Sequence, residues 1–345
     1  LTASPASLTA LPPSRYLQVR IESAGTLPAS FTLGTLTWDA FAYTPKSGSL
    51  SASTTWPANG SPYVITGTLN IPANRTLTLA PGAELWFQEG ARLQVRGGLV
   101  AQGTTTQPIT LTSWHTGKQP GDWRGVVFES TAISSTIDSN GAYVSGSIVQ
   151  HTVVEYSGGG GSRYAVDAPE LQLYVNRSTV RNNSSGGLRS RGGVVTYNLV
   201  AGNAITLTES INGVGISNDG EARIEGNTVI DNLAAGTNIW NYNVVGGGIY
   251  SGGNGQVRNN TVRGNQVRTA GHASGIGIYA GAGIVTGNTV QGNVQDYAVY
   301  AKGAGIYAEN NVRVTDNTVL SNTLNTVYYS AQGGGIYNNG GVIER

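Results

Sequence analysis

Two short sequence markers recur at a fixed spacing through the C-terminal part of this 345-residue chain. The first is Gly-Ile-Tyr and the second is Asn-Thr-Val. The isoleucines of the first series, extended backwards by Ile216 in a related segment, are Ile216, Ile249, Ile278, Ile306 and Ile336. The valines of the second series are Val229, Val262, Val290 and Val319, each 12 or 13 residues after an isoleucine. A repeat of about 28 residues is typical of proteins that stack copies of one structural unit, so the markers predict a solenoid.

An asparagine stands three residues after a valine in six successive places. These asparagines are Asn183, Asn203, Asn232, Asn265, Asn293 and Asn322. Asparagine tolerates the left-handed backbone region and bonds neighbouring backbone groups, so it suits a tight corner between short strands. In a solenoid these side chains would lie one above another at the strand spacing of about 4.8 Å, which predicts a hydrogen-bonded asparagine ladder.

The apolar residues of each repeat alternate over runs of three to five residues bounded by Gly and Asn, which is typical of strands and too short for helices. Two or three such strands make one coil of a parallel β-solenoid. The isoleucines and valines named above are therefore predicted to be the stacked rungs of its core. Of the 50 glycines, 39 follow residue 120, so they accompany the coils.

The N-terminal part lacks the repeat. Residues 1–15 are rich in Pro, Ser and Ala and are interpreted as a tail or linker. Residues 16–58 contain the alternating Leu17, Val19 and Ile21 and are predicted to form a β cap or assembly segment. Residues 59–345 are predicted to be the solenoid, with an incomplete last coil.

Several stretches resemble the opening coils of bacterial secreted and surface β-helix proteins. They are LTLAPGAEL at 77–85, LQVRGGLVAQGT at 93–104, PITLTS at 108–113 and GDWRGV at 121–126. Together with the repeat, they are similar to the right-handed parallel β-helix of the pectin-lyase-like superfamily over roughly residues 60–345. The resemblance implies an all-β, right-handed parallel β-helix, for which we expect roughly ten coils. It does not imply one activity, because lyases, hydrolases, esterases, adhesins and phage spikes share this fold.

Composition excludes several classes of function. Without cysteine there is no disulfide, thiol nucleophile or cysteine-ligated metal. A net charge of +1 gives no basic surface for nucleic acid, and no apolar run approaches the roughly 18 residues of a membrane span. The histidines His115, His151 and His272 lack a second ligand at metal spacing, so we expect no metal and no cofactor. A chain without methionine that begins at Leu1 is expected to be an exported piece of a longer precursor, extracellular or on a bacterial surface.

The acidic residues do not form a recognisable catalytic group. A hydrolase of this fold would need two or three converging aspartates, and a calcium-dependent lyase an acidic cluster with a basic residue. The closest group is Asp219, Glu221 and Glu225, followed by Asp231. Arg223 would lie on the same strand face as the two glutamates. The favoured interpretation is a solvated outer face with an ion pair, and no catalytic residue is assigned.

Aromatic residues recur on the variable arm between the ladder asparagine and the next Gly-Ile-Tyr. They are Trp240, Tyr242, Tyr297, Tyr300, Tyr328 and Tyr329. Such residues could stack against sugar rings or form a protein contact face. Alternatively, they cover the core or pack on each other.

The last coil begins at residues 333–337 and stops before its Asn-Thr-Val. Either the native chain continues, or another subunit covers the open strands. The N-terminal segment, with Phe31, Trp38 and Tyr43, is a candidate for that head-to-tail contact with a second copy. The sequence therefore predicts an extracellular structural or adhesive rod that polymerises head to tail. The alternative is a polysaccharide-binding or polysaccharide-cleaving β-helix protein.

Overall fold

The computed structural model describes residues 43–236, 240, 242–326 and 329–344, with the backbone alone for Thr269 and Ala270. Within this part the chain is a parallel β-helix, as the repeat predicts: every coil adds one segment to each of three parallel sheets. The connections are expected to be right-handed, since nearly all crossovers between parallel strands are. Phe31, Trp38 and Tyr328 lie outside the described residues.

The three sheets are defined by the pairing between coils. Sheet 1 contains the first halves of Thr44–Ser49 and Tyr63–Ile71, then Glu84–Phe87, Ile109–Ser113, Thr152–Glu155, Thr179–Arg181, Leu199–Ala201, Thr228–Ile230, Thr261–Arg263, Thr289–Gln291 and Thr318–Leu320. Sheet 2 contains the second halves of the first two strands, then Arg92–Val95, Val126–Phe128, Tyr164–Ala168, Gly186–Ser190, Ile216–Asn218, the first halves of Ile249–Arg258 and Ile278–Thr286, Ile306–Ala308 and Ile336–Asn338. Sheet 3 contains Thr54–Trp56, Thr76–Leu79, Gly98–Gln102, Ile148–Gln150, Leu173–Asn176, Gly193–Thr196, Ala222–Glu225, the second halves of Ile249–Arg258 and Ile278–Thr286, Val312–Thr315 and Val342–Glu344.

A fourth parallel sheet forms only in the later coils, where the variable arm leaves sheet 1 before the chain enters sheet 2. Its strands are Ala204–Leu207, Ile211–Asn212, Leu233–Gly236, Asn243–Val245, Gln266–Ser274, Val294–Lys302, Thr323–Thr326 and Ala331–Gln332. The remaining elements are an antiparallel hairpin of Thr136–Ile137 and Tyr143–Ser145 and two short 3₁₀ turns at Ala58–Gly60 and Gly159–Gly161.

Each of sheets 1 to 3 has eleven segments, so the described residues form eleven coils, close to the ten expected. The coils begin with Thr44–Ser49, whose halves pair in parallel with Tyr63–Ile71. Thr54–Trp56 likewise pairs in parallel with Thr76–Leu79. The described end of the predicted cap segment, residues 43–58, therefore stacks on the coils in the same register.

The core of the β-helix is a set of aliphatic columns. Four isoleucines at the start of the sheet 2 strands, Ile216, Ile249, Ile278 and Ile306, are in register and fully buried, and Ile336 packs on them partly buried. The sheet 1 column consists of buried Val229, Val262 and Val290 followed by partly buried Val319. In the early coils larger side chains fill the interior, with Phe87 stacked on Trp123 at 3.9 Å between ring centroids. Close-packed interdigitation of this kind fixes the spacing of the coils.

The predicted asparagine ladder is present at the corner that follows sheet 1. From Asn183 to Asn322, each side-chain Nδ2 donates to the Oδ1 of the next asparagine at 2.7–2.9 Å. Ser157 extends the ladder by one coil towards the N-terminus, because its backbone N–H and hydroxyl both donate to the Oδ1 of Asn183. The left-handed residue at this corner is the one before the asparagine, such as Asp231, and not the asparagine itself. That preceding residue turns the chain so that the amide of the asparagine points inwards.

A second ladder lies at the corner between sheets 3 and 1. It consists of Asn198, Asn227, Asn260, Asn288 and Asn317, with Nδ2 to Oδ1 distances of 2.9 Å at all four steps. Sequence reasoning missed it, although its last four members are the asparagines of the Asn-Thr-Val marker. Sheet 1 is therefore bracketed by two ladders that satisfy buried polar groups between coils.

The fourth sheet encloses a small apolar core of its own. Its buried members include Val214, Val267, Ala273 and Ile276. Tyr164 covers the N-terminal end of this core, and its hydroxyl donates to the carbonyl of Asn212. The early coils lack this sheet, so the cross-section of the β-helix widens in its C-terminal half.

One polar side chain lies inside this second core. Gln295 is fully buried in register with Val267 and Leu324, and neither amide atom has a hydrogen-bond partner. Because an unpaired buried amide costs free energy, we expect Gln295→Leu to raise the free energy of unfolding by about 1–3 kcal/mol. Urea unfolding would measure this change against Gln291→Leu, an exposed glutamine of sheet 1. A loss of stability in Gln295→Leu would contradict the assignment of an unpaired amide.

Candidate functional site: the hairpin groove

The hairpin of residues 136–145 is the one antiparallel element in the described part of the chain, and it lies over the outer face of sheet 3. Its turn is fixed by Asp138, whose Oδ1 accepts the backbone N–H groups of Asn140 and Ala142 at 2.9 and 2.7 Å. Its base packs through Tyr143 on Tyr174 of sheet 3, with ring centroids 5.6 Å apart. The hairpin divides this face into two open depressions, together called the hairpin groove.

The C-terminal depression has a volume of about 390 Å³ and carries both signs of charge. It is lined by Asp138, Ser139, Asn140, Gly141, Val194, Glu221, Ala222, Arg223, Asn254, Gln256 and Arg258. Arg223 reaches the hairpin, where its Nη1 lies 3.5 Å from the carbonyl oxygen of Asn140. The hairpin tip is therefore attached to a coil more than 80 residues further along the chain.

One member of the acidic group singled out in the sequence, Glu225, forms an ion-pair network with two arginines of this depression. Glu225 accepts from Arg223 and from Arg258, the latter at 3.0 Å. Burial alone would raise the pKa of the Glu225 carboxyl, but the two arginines outweigh burial and hold this pKa below its ordinary value. Glu225 thus stays ionised near neutral pH and is a poor general acid. Glu221 lies just before the strand, at the rim of the depression.

The N-terminal depression is smaller, about 270 Å³, and its floor is a chain of amides. Gln102 donates to Gln150 at 3.0 Å, Gln150 to Asn176 at 3.2 Å, and Asn176 to the hydroxyl of Thr196 at 2.8 Å. These side chains hold one another across four successive coils. The floor is therefore polar and pre-ordered, a feature of sites that bind polar ligands.

The described residues contain no group of three His, Asp or Glu that could hold a metal ion. His115 is exposed, and His272 stacks on Tyr300 at 4.8 Å. His151 occupies a left-handed corner beside the N-terminal depression. Burial, followed by the charge of Arg177, lowers the pKa of His151, so its imidazole is neutral at neutral pH.

The arm aromatics lie in two different settings. Tyr300 lies between His272, at 4.8 Å, and Tyr329, at 4.6 Å, so both faces of its ring are covered, whereas Tyr329 stacks through one face and is 58% exposed. Tyr242 packs against the second core. Trp240 and Tyr297 are 58% and 59% exposed, and Tyr297 has a left-handed backbone where the pairing register shifts. Only part of the predicted contact face is therefore available to a partner.

Sequence reasoning missed a tyrosine stack on the outer face of sheet 2. The tyrosines of the Gly-Ile-Tyr marker, Tyr250, Tyr279, Tyr307 and Tyr337, stack with ring centroids 5.0–5.2 Å apart. Burial and then the carboxylate of Glu309 raise the pKa of Tyr307 to about 12. In the sequence these tyrosines belong to a marker that was interpreted as a core signal. Because side chains alternate between the two faces of a strand, a tyrosine next to a core isoleucine is expected on the outer face of the sheet.

A separate aromatic cluster lies at the start of the described chain. Tyr43 packs edge-on against Trp114 at 5.3 Å, and Trp114 packs against Trp86 at 6.2 Å. The ammonium group of Lys118 lies 5.9 Å from the Trp86 ring. Tyr43, predicted as part of an assembly segment, thus contacts the early coils of its own chain.

Comparison of the chain with protein-family models, with curated proteins and with solved structures found no match. The fold and the groove define the class of the chain as a parallel β-helix protein with a polar groove on one face. No helix in the described residues is long and apolar enough to cross a bilayer.

Proposed function

We propose that this chain is a structural or adhesive rod that acts outside the cell, like bacterial secreted members of the pectin-lyase-like superfamily. The observation that supports it most is the pair of asparagine ladders, which run without a break from Asn183 and Asn198 into the last coil. Each ladder amide bonds to the coil beside it, so one coil cannot move without breaking bonds to its neighbours. A stiff scaffold is what such coupling provides.

The proposal includes assembly end to end. The last described coil offers Leu320, Val342 and Ile343, each about half exposed, as an apolar contact for a second copy. The partner surface would come from the N-terminal segment that contains Phe31 and Trp38, two residues outside the described part. Such a contact is head to tail and does not close, so it extends into a filament.

The rod predicts a measurable shape. Eleven coils at the strand spacing give a length of about 50 Å for one chain. In negative-stain images of the intact protein we expect rods, with filaments at high concentration in which this unit repeats along the axis. Deletion of residues 16–42 should shorten the filaments to single rods. Compact monomers at all concentrations, with and without the deletion, would refute the assembly.

A second candidate function is binding of a polysaccharide along the hairpin groove. It is favoured by the two polar depressions, which run along sheet 3 on both sides of an inserted hairpin. We expect retention of the protein on an immobilised polysaccharide, with loss of retention in Arg223→Ala, because Arg223 lines both depressions. If cleavage accompanies binding, new reducing or unsaturated ends will appear and Glu221→Ala will abolish them. Retention that is equal in Arg223→Ala and wild type would remove the groove as the binding surface.

A further inference from the structure

The corner between sheets 3 and 1 carries bulky left-handed residues beside the N-terminal depression. In three successive coils this position is His151, Arg177 and Tyr197, with φ of 45°, 49° and 56°. The next four coils place Gly226, Asn259, Gly287 and Asp316 there. A left-handed backbone costs roughly 1–2 kcal/mol for a residue that is not glycine, and Asn and Asp bear it best. The three coils that border this depression therefore carry large side chains at positions where the left-handed backbone costs conformational free energy.

Two of these side chains form a stack. The guanidinium carbon of Arg177 lies 5.7 Å from the centre of the Tyr197 ring. On the next coil, a Cβ at Gly226 would lie 2.6 Å from the same ring, so the absence of a side chain there lets the ring pack on the backbone. Tyr197 is thus held between Arg177 and Gly226. Stacking fixes the plane of the guanidinium while leaving its N–H edge for a ligand.

The charged residues that line the N-terminal depression are both basic. The N-terminal depression is lined by Asn140, Gly141, Ala142, Gln150, Tyr174, Asn176, Arg177, Val194, Thr196, Tyr197 and Arg223, with two arginines and no carboxylate. Arg223 is committed to Glu225. For Arg177 no ion pair is formed within the described residues, and its side chain is exposed. The depression therefore has an unneutralised positive charge above a floor of amides.

We propose that Arg177, stacked on Tyr197, is the centre of an oxyanion-binding subsite in the N-terminal depression. The ligand is an acidic group, such as a sulfate, phosphate or carboxylate, carried by an extended glycan. Two parallel N–H donors of the guanidinium bind two oxygens of this group, and the side-chain amides of the floor lie beside the neighbouring hydroxyls. The inference rests on the proposed glycan-binding groove and names the chemistry of its ligand.

The test uses the full chain and two kinds of probe. Inorganic sulfate and inorganic phosphate, titrated by calorimetry, report the subsite itself. Dextran sulfate, alginate and uncharged dextran, compared by surface retention, report the glycan and distinguish a sulfate from a carboxylate. We expect at least one charged polymer to bind tenfold or more tightly than dextran, and Arg177→Gln to lower that affinity at least tenfold.

Two variants separate binding from folding. Arg263→Gln removes an exposed arginine of sheet 1 and should change affinity less than twofold. Tyr197→Asn removes the stack and relieves the left-handed backbone, so we expect threefold to tenfold weaker binding with no loss of thermal stability. If Tyr197 acted only in folding, Tyr197→Asn would instead lower the thermal stability.

The outcomes are distinct. Equal polymer binding by Arg177→Gln and wild type overturns the subsite but leaves the groove. Equal losses of affinity in Arg177→Gln and Arg263→Gln also overturn it, because the effect would then come from the total charge of the protein and not from this subsite. Sulfate or phosphate binding that depends on Arg177, without retention on any polymer, keeps the oxyanion site and refutes the glycan function. Absence of binding to every probe refutes both.

Discussion

Asn265→Ala is expected to lower the free energy of unfolding by about 3–5 kcal/mol. The Oδ1 of Asn265 accepts both the backbone N–H and the Nδ2 of Asn232, at 3.1 and 2.9 Å. Its Nδ2 donates to the Oδ1 of Asn293 and to the carbonyl of Val229, at 2.9 and 3.0 Å. Alanine removes these four bonds and leaves the buried backbone N–H of Asn232 without its acceptor, while the Oδ1 of Asn293 keeps only the backbone N–H of residue 265, at 3.1 Å. Urea unfolding followed by circular dichroism measures the loss.

Two further variants sharpen this experiment. Asn325→Ala changes an exposed asparagine of the arm and should alter stability by less than about 0.5 kcal/mol. Asn265→Asp keeps the shape but loses the N–H donor, so a carboxylate oxygen would face the Oδ1 of Asn293. Aspartate is therefore expected to be at least as destabilising as alanine. If Asn265→Ala behaves like Asn325→Ala, the ladder does not stabilise the fold.

The two ladders show which parts of the fold could be predicted from the sequence. The Val-to-Asn spacing was enough to predict that Asn183 to Asn322 would stack, because any residue at a fixed phase of a solenoid meets its equivalents on adjacent coils. The second ladder was equally visible, since Asn198 and its equivalents lie two residues before the same valines. It was missed because the Asn-Thr-Val marker was treated as one apolar strand signal. Spacing shows that residues align but not which of them turn inwards.

The candidate site was much less predictable. The pair Arg223 and Glu225 followed from strand alternation, but the hairpin above it belongs to no repeat. The groove brings Asn140 together with Arg223 and Arg258, residues from coils far apart in sequence. No local pattern records which face an insertion covers. The exposure of the arm aromatics could not be predicted for a related reason. The register shift around Tyr297 changes which rings stack and which project into solvent. A shift of this kind depends on pairing with the next coil.

The glycine of the Gly-Ile-Tyr marker is explained by the other marker. A Cβ at Gly187, Gly215, Gly248, Gly277 or Gly305 would lie 2.4–2.6 Å from a valine γ-carbon and 3.0–3.2 Å from a ladder amide. At Gly277 these atoms belong to Val290 and Asn293, and the carbonyl oxygen of Gly305 lies 2.5 Å away. Because φ is not positive at this position, the backbone would accept any residue, and the restriction is one of space alone.

Gly277→Ala is accordingly expected to lower the free energy of unfolding by about 3 kcal/mol, since one methyl group must push apart two stacked coils. Gly334→Ala is the matched control, because its Cβ would meet nothing closer than 3.8 Å and its φ is also not positive. Both changes restrict the unfolded chain equally, so the control should be neutral or up to about 1 kcal/mol more stable. The difference between the two variants in urea unfolding isolates the steric cost at the coil contact. Equal stabilities would mean that the coils separate freely at Gly277, and the glycine column would then have no role in setting their spacing.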